Sequence, residues 1–140
     1  MKNYFLLSLS LFSVILSGSL FSAIAQNEPI LYFCEKYDSR DGEVGVSDRF
    51  TTGHLTVMVK CDHELNLTDV SIQFDKYNFR NGKFEFYKNF DYSIDPDMKY
   101  VFFSKNDESD MSFDDAGFYR VFLLDKRDKT VASAVIEIIP

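Results

Sequence analysis

Beyond residue 29, apolar and polar side chains alternate with a period of two, and no stretch sustains the i, i+3, i+4, i+7 spacing of an amphipathic helix. In residues 54–61, Leu55, Val57, Val59 and Cys61 share one side, while Thr56, Met58 and Lys60 share the other. Residues 70–77 repeat this logic, with Val70, Ile72 and Phe74 inward and Ser71, Gln73 and Asp75 outward. A first strand is predicted over residues 30–37, entered after Pro29 and broken by Asp38-Ser39-Arg40-Asp41-Gly42; residues 43–50 read as a loop with a short extended piece. Asn81-Gly82 predicts a hairpin turn, because both residues tolerate positive φ. After it, Phe84, Phe86, Phe90, Tyr92 and Ile94 share an inward parity, up to the break at Asp95-Pro96-Asp97. Short extended segments follow at 100–104, 118–124 and 131–139. About seven strands separated by frequent turn signals predict an all-β chain, folded as an antiparallel sandwich.

The start of the chain has a different character. Lys2 precedes an uncharged run from Tyr4 to Ala25 that ends in Ala23-Ile24-Ala25. A basic start, an apolar middle and small residues at an A-x-A site predict a signal peptide, residues 1–25, cleaved after Ala25. Residues 26–140 then form one domain, large enough to bury its own core. Export predicts a periplasmic or secreted location and an oxidising environment for Cys34 and Cys61. A bridge between them would close a loop of 27 residues, worth roughly 3 kcal/mol. Reduced, buried thiols are the alternative.

Removing residues 1–25 leaves 14 basic side chains against 22 acidic ones. A surface this acidic repels phosphate backbones, which excludes nucleic acid as a partner. With 15 Phe and 8 Tyr, the chain has ample material for a packed core and does not read as disordered.

Asp115-Ala116-Gly117-Phe118-Tyr119 stands at the entry to the penultimate strand. This D-x-G-x-Y run resembles the tyrosine corner of immunoglobulin-like domains, in which the Tyr hydroxyl reaches back to nearby backbone and pins the turn. The resemblance implies an immunoglobulin-like or fibronectin-III-like sandwich, with Asp115, Gly117 and Tyr119 in structural roles. Val121 occupies the position where the family pattern has a cysteine, and the chain has no Trp. An antibody-type domain with its inter-sheet disulfide is therefore excluded.

Candidate chemistry is sparse. The acidic stretch from Asn106 to Asp115 departs from the EF-hand pattern at Met111 and Gly117 and reads as a solvated loop. His54, Met58, Cys61 and His63 lack ligand spacing, so no metal or cofactor is expected. No nucleophile elbow, zinc-protease pair or phosphate-binding glycine loop is present, and the chain does not read as an enzyme. Tyr77, Phe79 and Tyr87 lie near the Asn81-Gly82 turn or on the parity opposite the inward rings. They are the candidate binding residues, as an exposed aromatic patch. The expected function is a binding or assembly module that contacts another envelope or secreted protein. A carbohydrate-binding module using the exposed tyrosines is the alternative.

Overall fold

The computed structural model describes residues 28–104 and 111–140. The predicted signal segment and the loop carboxylates Asp107, Glu108 and Asp110 lie outside the described residues. Within them, all regular structure is strand. The strands are β1 (Ile30–Cys34), β2 (Lys36–Asp38), β3 (Gly42–Val44), β4 (Arg49–Thr51), β5 (Gly53–His54), β6 (Thr56–Lys60), β7 (Asp69–Asn78), β8 (Lys83–Ser93), β9 (Tyr100–Phe103), β10 (Ser112–Phe113), β11 (Gly117–Asp125) and β12 (Thr130–Ile139).

Two larger sheets organise the chain. One has the order β1-β6-β9, the other β4-β12-β11-β7-β8, and the pairs β2-β3 and β5-β10 complete the set. Neighbours run antiparallel except β4, which lies parallel to β12. Both larger sheets feed one core: Leu31, Phe33, Val57, Val59, Val101 and Phe103 from the first, and Val70, Ile72, Phe74, Tyr119, Val121, Leu123, Ile136 and Ile138 from the second. Removing such side chains from water contributes about 1.5–3 kcal/mol each. This alternation of buried positions is the period-two pattern of the sequence, made physical.

Three departures from simple alternation shape the surface. The strand predicted over residues 30–37 breaks at Glu35, whose N–H donates to the Val44 carbonyl at 3.0 Å, so that β2 and β3 form a hairpin of their own. In the β7–β8 ladder, Phe74 pairs with Lys88 but Asp75 pairs with Phe86, leaving Tyr87 as the extra residue of a β-bulge. The bulge reverses parity. Phe90 and Tyr92 pack against the core as expected, whereas Phe86 is 65% exposed and lies on the outer face.

The third departure concerns the cysteines. Cys34 pairs with Thr56, and Ile30 pairs with Lys60, so Cys61 lies five residues along β6 and just beyond its end. At ~3.4 Å per residue the two are about 17 Å apart, far beyond the reach of a disulfide. Both thiols are free and buried. The predicted Cys34–Cys61 bridge is thus corrected by the strand register.

Candidate binding face

The outer face of the five-stranded sheet gathers rings from three strands and one turn. β7 supplies Tyr77, the β7–β8 turn Phe79, β8 supplies Phe84 and Phe86, and β11 supplies Phe118 and Phe122. Tyr119 fixes the β11 set. Its side chain is fully buried, so its neighbours Phe118 and Arg120, and Phe122 two residues further along the same strand, project outward by alternation. Phe79 is 70% exposed, Phe86 65%, Val135 52% and Phe118 39%. These exposed rings are therefore gathered on one face of the sheet rather than scattered singly.

Four of these rings, Tyr77, Phe79, Phe84 and Phe118, contact one another at steep angles. Tyr77 meets Phe79 with centroids 5.0 Å apart and planes at 89°, and meets Phe84 at 5.2 Å and 62°. Phe79 meets Phe118 at 6.2 Å and 57°. Arg120 lies between Phe84 and Phe122, with Cζ 4.8 and 4.7 Å from the two ring centroids. Its Nη2 pairs with Asp75 Oδ2 at 3.3 Å, and Gln73 donates to Asp75 Oδ1 at 2.8 Å. The guanidinium thus stiffens the face through cation–π contacts and a half-buried ion pair.

The structure divides the three predicted binding residues. Tyr77 and Phe79 stand in the outer ring cluster. Tyr87, the bulge residue, turns its ring toward Tyr119, with centroids 5.4 Å apart, and packs against the core. A shallow groove of about 440 Å³ at the hairpin still borders all three, together with Lys76, Glu85 and Phe86. Phe118, Arg120 and Phe122 were discoverable from the inward Tyr119 of the D-x-G-x-Y run. Phe84 and Phe86 were not, because nothing local announces the bulge.

The same bulge closes the neighbouring sheet edge. β8 is an edge strand, and Lys88 points inward from it: Nζ donates to the Ser112 carbonyl and lies 4.8 Å from the Phe113 centroid and 5.1 Å from that of Tyr87. A bulge and an inward-pointing lysine are two ways of making an edge strand a poor template for another strand. The exposed rings have no such protection.

At the entry to β11, the Tyr119 hydroxyl donates to the Asp115 carbonyl at 2.8 Å. Burial pushes the Tyr119 hydroxyl upward in pKa, so it acts as a neutral donor. Gly117 has φ +149°, a region L side chains avoid, and a Cβ there would stand 3.4 Å from Lys76 Cε. Lys76 Nζ in turn pairs with Asp115 Oδ2 at 3.0 Å. The corner is tied from inside and outside. The corner thus takes the form that the resemblance to immunoglobulin-like domains implies.

No protein-family model matches this chain, and no curated protein matches it in sequence. Among solved structures it is similar to an immunoglobulin-like protein from Pseudomonas aeruginosa, with 10% identity and a TM-score of 0.45, over 82% of this chain and 99% of that one. Among the described residues, no three His, Cys, Asp or Glu side chains group to hold a metal ion, and no helix is long and apolar enough to cross a membrane.

Proposed function

We propose that this chain is an exported, non-enzymatic immunoglobulin-like sandwich that serves as a binding or assembly module, contacting another envelope or extracellular protein. The contact is made by the outer face of the five-stranded sheet. The observation that carries the reading is the exposed cluster of Tyr77, Phe79, Phe84, Phe86 and Phe118 around the Arg120–Asp75 pair. Rigid aromatic rings flanked by an arginine are the side chains that dominate protein–protein contacts, because they bury large apolar areas at little cost in side-chain entropy. The blunted β8 edge favours docking on the face over addition of a strand.

The ring geometry also separates a protein from a glycan. A sugar chain stacks on ring faces that share a plane, whereas Tyr77, Phe79, Phe84 and Phe118 stand at 57–89° to their ring neighbours. Phenyl rings also offer no hydrogen bonds to sugar hydroxyls. The test is affinity capture from the native envelope or secretome with the wild-type domain and with a Phe79→Ser/Phe86→Ser variant of matched thermal stability. One stoichiometric protein recovered by the wild type and lost in the variant supports the reading. Saturable binding to a soluble glycan, with no protein recovered, would replace it by the carbohydrate reading.

A further inference from the structure

The opposite side of the molecule carries a different device. On the three-stranded sheet, Tyr32 pairs with Met58 and Met58 with Phe102, and Cys34 pairs with Thr56; these residues alternate with the core set and so face away from it. Yet Cys34 and Met58 are fully buried and Thr56 is nearly so. Their cover is the β2–β3 hairpin.

The hairpin is a separate unit. Its ladder spans three residues a side, and among the described residues it pairs with no other strand. A two-stranded ribbon this short has almost no stability of its own, so its position depends on what holds it down. Three contacts do so. The Glu43 carboxylate on β3 accepts hydrogen bonds from the Tyr32 hydroxyl on β1 and the Tyr100 hydroxyl on β9. Tyr37 on β2 stacks on Phe102, with centroids 4.5 Å apart and planes at 21°. At the base, Glu35 N–H bonds to Val44 and Ser47 N–H to the Phe33 carbonyl, beside Gly45 at φ +68°. A Cβ on Gly45 would lie 2.7 Å from the Glu35 side chain, so the two legs of the hairpin meet at a tight pivot.

We propose that the β2–β3 hairpin is a strap latched by Glu43, which opens as a local unit and thereby gates access to the Cys34 thiol and the Met58 side chain beneath it. Closed, the strap makes Cys34 unreactive in two ways. It excludes reagents, and burial together with the Glu43 charge pushes the thiol pKa upward, away from the reactive thiolate. Opening reverses both. The groups facing Glu43 are Tyr32 and Cys34 from β1, Lys60 from β6 and Cys61 just beyond it, Lys99 and Tyr100 at β9, and Tyr37 and Asp41 on the hairpin itself. The tyrosine hydroxyls and Lys60 favour the ionised carboxylate, so protonation of Glu43 is what weakens the latch.

The experiment is thiol exchange with 4,4′-dithiodipyridine on the purified chain, with mass mapping to read Cys34 and Cys61 separately, at urea concentrations below the unfolding transition. Labelling of Cys34 is expected to depend only weakly on urea, as local opening does. Glu43→Gln and, independently, Tyr37→Ala are each expected to accelerate it by about tenfold, the size set by losing a charge-assisted hydrogen bond or a ring stack. The urea midpoint serves as the measure of global stability in each variant, and Cys61, which lines the groove beside Glu43, is mapped separately. The proposal is overturned if Cys34 is labelled with the steep urea dependence of global unfolding. It is equally overturned if neither substitution changes its rate once the shift in urea midpoint is allowed for.

Discussion

Alanine replacement of Phe86 and Phe74 reads out the β8 bulge directly. Counting back by twos from the inward Phe90 would place Phe86 in the core, where truncation is severe; the bulge at Tyr87 places it outside. Phe74 is fully buried, with the Phe90 and Phe113 rings 6.1 and 5.3 Å away. Removing its roughly 200 Å² from contact costs up to about 5 kcal/mol at ~25 cal/mol per Å², in line with the ~3–5 kcal/mol of Phe→Ala changes in packed cores. Phe86 is 65% exposed, so only about 70 Å² of it is covered, an upper bound of about 1.8 kcal/mol. Contacts kept by the alanine Cβ and a compact denatured chain lower this to about 1 kcal/mol. At roughly 4 °C per kcal/mol for a domain of this size, Phe74→Ala should lower Tm by about 12–20 °C and Phe86→Ala by about 4 °C or less. Urea unfolding and thermal melts of the two variants and of Phe90→Ala make the comparison. A loss of about 3 kcal/mol or more in Phe86→Ala, equal to that in Phe90→Ala, would refute the bulge and with it the outer aromatic face.

Further expectations concern the corner, the thiols and the latch. Tyr119→Phe keeps the buried ring but removes the donor to Asp115, and should cost about 1 kcal/mol in urea unfolding; a neutral result would leave the corner as packing alone. Gly117→Ala forces an L side chain to φ +149° and should cost about 1–3 kcal/mol, read in the same assay. Titration of the denatured chain without reductant should find both Cys34 and Cys61 as free thiols, and zero thiols would restore the bridge that the register rejects. Hydrogen bonds from Tyr100 and then Tyr32 hold Glu43 below the ordinary glutamate value of 4.5. The unfolded chain therefore binds the proton more readily, and the Glu43 contribution is fully present above that value and lost as pH falls through the lower folded one. Hairpin amide protection factors, taken relative to the intrinsic exchange rate at each pH, should fall in acid in the wild type but stay level in Glu43→Gln, and parallel pH profiles would contradict the latch.

The central strands were legible because their two faces meet different solvents. Val70, Ile72 and Phe74, or Val121 and Leu123, need the same side for the same reason, and period two is the trace of that need. Asp115-Ala116-Gly117-Phe118-Tyr119 was legible because a glycine at positive φ and a buried hydroxyl leave few local solutions. What escaped was set by distant partners. The bulge at Tyr87 exists where Lys88 reaches Ser112, 24 residues away in sequence, and no window around β8 contains that carbonyl. The spacing of Cys34 and Cys61 is likewise silent on register: a pairing centred elsewhere would have placed them opposite each other. The strap was hidden for a third reason, because Met58 and Cys34 look outward-facing until a hairpin is laid over them.

The parallel pairing of β4 with β12 has a kinetic consequence. Glu137, Ile138 and Ile139 pair with Arg49, Phe50 and Thr51 across 88 positions of sequence, and β12 lies inside its sheet, between β4 and β11. It is also the last described strand in chain order, and it brings Ala132, Ile136 and Ile138 to the core. Until it arrives, two strands lack their partner and the core lacks one wall. Loop closure over such distances puts folding in the millisecond-to-second range typical of non-local β topologies. A chain of this design closes its core only once β12 is in place between β4 and β11.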